Sequence, residues 1–118
     1  MSNSENTEKD TERDLGVQPL DGMMKVWNVD NHDLVEVSTE QLTHKQVQKA
    51  RMGRRLTLKM MQKVTRALNV AVWHKLNDEQ KEAYYEYMHR DLFNYAKAHD
   101  AEWVDPNGTI QKTLSHEG

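Results

Sequence analysis

Leu42-Thr43-His44-Lys45-Gln46-Val47-Gln48-Lys49-Ala50-Arg51-Met52-Gly53 is the stretch that decides how this chain is read. Thr43 is a residue type that accepts a hydrogen bond from the first free backbone amides of a helix, and Gly53 is the type that ends one in the left-handed conformation. Between them the spacing predicts a short helix over His44–Met52. Val47 and Ala50, three apart, face inward, and the remaining positions are polar or basic.

Outward from this helix the charge is segregated. From Gln41 to Asn77 the chain carries nine Lys or Arg and no Asp or Glu. Residues 1–40 sum to −7 and residues 78–118 to −5, so the whole is −3. A +9 block inside an acidic protein points to a polyanionic partner. Neutralisation of the block by its own flanks is the competing explanation, and the placement of the bases decides between them.

The 118 residues suit one domain, and 36% apolar content is low for that length. Residues 1–20 are expected to form a disordered acidic tail, because Ser, Asn, Thr and charges dominate up to Gly16. Residues 21–105 are expected to form the helical domain, and residues 106–118 a flexible C-terminal tail. Met23–Val29 and Leu34–Val37 have strand-like content around Asp30-Asn31-His32-Asp33, which reads as a short N-terminal hairpin or an irregular arm.

After Gly53 a short Arg54-Arg55-Leu56 link leads to Thr57, which caps a second helix reaching about Leu68. Leu58, Met61, Val64, Thr65 and Leu68 mark its buried face, and Lys59, Lys63 and Arg66 its outer side. Asn69 is expected to close it, followed by an apolar connector through Trp73 and Leu76. Asn77 and Gln80 form a capping-box pattern that opens a long C-terminal helix, Asp78 to His99. Its face would be Tyr84, Tyr87, Met88, Leu92, Tyr95 and Ala96. The fold class is therefore mainly α: a small helical domain with a helix-turn-helix-like centre.

Residues Leu42 to Ala50 resemble the recognition helix of helix-turn-helix repressors. Leu56-Thr57 through Lys63-Val64, Ala67 and Leu68 resemble the helix that follows it in lactose-repressor-type and lambda-repressor-like domains. The resemblance spans residues 42–68. Where the family carries a small residue and a turn glycine, this chain has Val37 and Gln41.

The resemblance implies binding to double-stranded DNA and a role in transcription regulation. A reading helix needs exposed donors beside apolar anchors, and His44, Lys45, Gln48, Lys49 and Arg51 supply them. Gln48 is matched to adenine and Arg51 to guanine. Arg54, Arg55, Lys59, Lys63 and Arg66 are placed to hold phosphates. A homodimer is expected, since one short reading helix covers few base pairs. The alternative is a helical adaptor that docks an acidic protein partner on the same basic face.

Other chemistry is not legible. There is no cysteine, and no two of the six histidines stand three or four residues apart on a helix, so neither a metal site nor a cofactor is expected. His89-Arg90-Asp91-Leu92-Phe93-Asn94 shares the opening of a kinase catalytic loop, but its Asn follows too closely and no glycine-rich loop accompanies it. An enzyme is not expected. Without a signal-peptide pattern or a long apolar run, the expected setting is cytoplasmic, with no membrane contact.

Overall fold

The computed structural model describes residues 15–117, so of the disordered tail expected over residues 1–20 the stretch 1–14 lies outside the described residues, whereas Pro19 and Leu20 are helical and Leu20 is buried. The described residues form helices α1 (Pro19–Trp27), α2 (Asn31–Val37), α3 (His44–Met52), α4 (Leu58–Trp73), α5 (Asp78–Ala83), α6 (His89–Leu92) and α7 (Gly108–Glu117). There is no strand among them, and no described helix is long and apolar enough to cross a membrane.

The expected N-terminal hairpin is replaced by α1 and α2. Pro19 sits in the first turn of α1, where its missing N–H costs nothing. Leu20, Met24 and Trp27 then recur at helical spacing and are buried. Asn28, in the left-handed conformation at φ 58°, ends α1. Asp30 opens α2 through a reciprocal capping box: its carboxylate accepts from Asp33 N, and the Asp33 carboxylate accepts from Asp30 N, both at 2.9 Å. The strand-like Val35 and Val37 are overridden by this cap and by Leu34, which is completely buried.

The central pair is built as its caps dictate. Thr43 and Gln46 form the capping box of α3, and Gly53 ends it at φ 102°. Thr57 accepts from Met60 N at the start of α4. Val47, Ala50, Met61, Val64, Thr65 and Leu68 are all buried, whereas Leu58 is 53% exposed and does not join the core. Helix α4 also continues past Asn69, the expected stop, to Trp73. Asn69 is buried in mid-helix, because its amide serves a distant segment rather than a cap.

That distant segment overturns the expected long helix. The Asn77–Gln80 capping box forms and starts α5, but the chain leaves the helix after Ala83 and runs extended through Met88. Two asparagines hold it open. Asn69 Oδ1 accepts from Tyr87 N at 2.9 Å while its Nδ2 donates to Tyr87 O at 3.0 Å. Asn107 treats Tyr85 in the same way, at 2.8 and 2.9 Å. Each side chain thus takes one residue's backbone donor and acceptor together, as a neighbouring strand would, so no buried group is left unpaired there.

The same segment ties the C-terminal part to the core. Tyr84 donates to Asn69 Oδ1 at 2.6 Å, and the Tyr87 hydroxyl accepts from Trp27 Nε1 and donates to Asp105. Burial drives the Tyr84 and Tyr87 hydroxyls well above the usual tyrosine range, so both act as neutral donors. Tyr84 meets the rings of Trp27 and Trp73 edge-on at about 6 Å between centroids. Beyond Asp105, where a flexible tail is expected, α7 forms and buries Ile110.

Candidate nucleic-acid interface

Helix α2, the turn over residues 38–43 and helix α3 form two successive packed helices. At the turn position where the resembled family has glycine, Gln41 adopts φ 60°. Its carbonyl oxygen receives Lys63 Nζ at 3.5 Å, a long contact that links the turn to α4. Leu42 is buried immediately after it. The opposite side of α3 is open: Thr43, His44, Lys45 and Gln48 are exposed and Lys49 is half-buried. His44 packs edge-on against His32 of α2, with ring centroids 5.8 Å apart.

The ten basic or polar residues singled out in the sequence separate into distinct groups. His44, Lys45, Gln48 and Lys49 share the outer side of α3, and none of the three charged or ionisable members has a salt bridge among the described residues. Arg54 and Arg55 follow just past the C-terminal end of α3. Arg55 lies over the Tyr95 ring, 5.3 Å from its centroid, while the Tyr95 hydroxyl donates to Arg54 O and accepts from Leu56 N. The link after α3 is thereby held from the C-terminal part of the chain.

Lys59, Lys63 and Arg66 line one cleft of about 400 Å³ together with Glu40, Thr57 and Met60. Arg66 is engaged by Glu40 in a two-pronged pair, Nε to Oε2 at 2.7 Å and Nη2 to Oε1 at 2.6 Å. The hydrogen bond from Arg66 holds the Glu40 carboxyl below the usual range. Both side chains remain substantially exposed, so solvent screens the pair and it opens easily.

Arg51, matched to guanine on sequence, is turned away from the open face. Its Nε donates to Asp21 Oδ1 at 2.7 Å and its Nη1 to Asn31 Oδ1 at 2.6 Å. The Arg51 side chain is 16% exposed and that of Asp21 only 8%. Burial alone would raise the Asp21 carboxyl, but hydrogen bonds from Lys25 and Arg51 outweigh it and hold the group below its ordinary value. Arg51 is a structural cation that fastens α3 to α1 and α2. An arginine at helical position 51 looks the same in sequence whichever way it turns, and its partner lies 30 residues upstream.

Sequence reasoning also missed Asn31. Read as part of a polar turn, it is the first residue of α2, and its Nδ2 donates to Gln48 Oε1 at 2.9 Å. No local pattern marks such a partner, since the two are 17 positions apart. Acidic residues close to this surface are already committed: Asp30 and Asp33 to the α2 cap, Glu40 to Arg66, and Glu36 to His32 at 3.3 Å. The described residues contain no group of three or more His, Cys, Asp or Glu able to hold a metal ion.

No family model matches this chain, and neither a curated protein nor a solved structure matches it.

Proposed function

We propose that this protein binds double-stranded DNA through α3 and regulates transcription. The observation that carries the reading is the arrangement at residues 31–52. Two short helices are joined by a turn whose Gln41 takes the left-handed conformation, and the second helix buries Val47 and Ala50 while presenting His44, Lys45, Gln48 and Lys49 outward. A helix seated this way can enter a major groove without disturbing its own core. In this reading Gln48 and the neighbouring donors of α3 address base edges, and Arg54, Arg55, Lys59 and Lys63 address phosphates. Arg66 joins them by exchanging Glu40 for a phosphate.

Charge supports the same reading. Asp21 and Glu40 of the flank engage Arg51 and Arg66, while the other seven cations of the block have no salt bridge among the described residues. Two copies on a two-fold site would extend the few base pairs that one α3 covers.

Titration of random duplex DNA at several salt concentrations tests the proposal. Four to six phosphate contacts give a slope of log affinity against log salt of about −4 to −5, near −0.9 per contact. A protein that binds no duplex at about 50 mM salt, a concentration at which such contacts still hold, refutes it. That outcome would turn attention to an acidic protein partner on the same face.

A further inference from the structure

Asp21, Arg51, Asn31 and Gln48 form a continuous hydrogen-bonded chain from the packed side of α3 to its open side, with successive distances of 2.7, 2.6 and 2.9 Å. Its direction is forced by chemistry. A guanidinium only donates, so Asn31 must turn its amide oxygen to Arg51. The Asn31 nitrogen, which only donates, is left for Gln48 and must meet the Gln48 oxygen. The order of the Gln48 amide is therefore set: oxygen toward α2, nitrogen away from it.

We propose that Asn31 is a positioning residue for base reading, and that it sets which orientation of an A·T pair Gln48 accepts. The inference rests on the DNA reading above. A glutamine reads adenine by accepting from N6 and donating to N7, so the two ends of its amide are not interchangeable. An exposed glutamine without a partner presents either order. Held by Asn31, Gln48 presents one, and the A·T pair turned end for end sets the thymine methyl against the amide N–H and the O4 acceptor against the amide oxygen, whereas a free amide could swap its ends and donate to O4. Asp21 and Arg51 act behind Asn31: their ion pair, largely withdrawn from solvent, anchors the guanidinium that fixes the Asn31 oxygen. No residue of this chain other than Gln48 need touch the base for the orientation to be chosen.

The test uses the full chain and a duplex selected from a random pool. The pair addressed by Gln48 is the one at which Gln48→Ala loses discrimination. Wild-type protein is expected to prefer that A·T pair over its reversed form by about 5- to 150-fold, the range of one good two-pronged base contact. Asn31→Ala is expected to bring the preference to within about threefold while leaving the salt slope unchanged, since no phosphate contact is removed. Asn31→Asp is the sharper variant. A carboxylate there still accepts from Arg51 but cannot donate, so it draws the Gln48 nitrogen inward and reverses the amide; the preferred orientation of the pair should reverse with it.

Both variants keeping the wild-type preference would overturn the inference while the DNA reading stands. An equal loss of affinity for every duplex, with the preference retained, would overturn it too, because Asn31 would then be an ordinary affinity contact. Wild-type protein that binds no duplex overturns the DNA reading and this inference together.

Discussion

Replacing Gln41 by glycine should stabilise this protein. Gln41 holds φ at 60°, where an L-residue costs about 1–2 kcal/mol through the approach of Cβ to the following carbonyl. Its side chain is exposed, and the contact the residue makes with Lys63 uses the backbone carbonyl, which glycine keeps. Glycine also gains freedom in the unfolded chain, which offsets about 0.4–1 kcal/mol of the relief. The balance is a gain of about 0.5–1 kcal/mol, or about 2–8 °C in the midpoint of thermal unfolding for a domain of this size. Urea unfolding should show a higher midpoint with an unchanged slope, since neither state changes its exposed surface much. Gln41→Ala retains the strained φ and serves as the control, expected within about 0.5 kcal/mol of the parent. A glycine variant no more stable than the parent would refute the reasoning, because the turn would then not be strained at Gln41.

Gly53→Ala should be severely destabilising by the same measurement, for a Cβ there would stand 2.0 Å from the backbone oxygen of Gly16 on a residue already at φ 102°; near-parental stability would show that residues 15–18 do not pack against the end of α3. Asp21→Asn should be less stable than the parent at pH 7, and the gap should narrow as pH falls below the ordinary aspartate value of about 3.9, because a carboxyl held low in the folded state contributes only while ionised. A gap independent of pH from 7 to 3 would deny the Asp21–Arg51 pair that role. Asn69→Leu should cost about 2–4 kcal/mol in urea unfolding, since it leaves Tyr87 N and O and the Tyr84 hydroxyl without their partner in a closed environment, and a loss under about 1 kcal/mol would mean that segment 84–88 is held open by other contacts.

What could be read along the chain was whatever is settled by residues within one or two helical turns. Thr43 with Gly53, Thr57, and Asn77 with Gln80 mark helix ends, because caps satisfy backbone groups three residues away. Val47 with Ala50 and Met61, Val64, Thr65 and Leu68 mark buried faces through their spacing. The mainly helical class and the segregation of charge around α3 follow from these alone.

Tertiary structure decided the rest, wherever a side chain answers to a partner far away in sequence. The residues from Asp78 to His99 have a helical pattern, yet Asn69 and Asn107 capture the backbone of Tyr87 and Tyr85 and the helix stops at Ala83. Local content at Val35 and Val37 favours a strand, but burial of Leu20, Met24, Trp27 and Leu34 in one core makes helices of both N-terminal segments. Arg51 has the same residue type and helical placement as a base-reading arginine; Asp21, 30 positions earlier, turns it inward. Periodicity and capping are short-range and leave a mark on the sequence, whereas a hydrogen bond between an amide and a backbone 18 or 22 residues distant leaves none until the chain has folded.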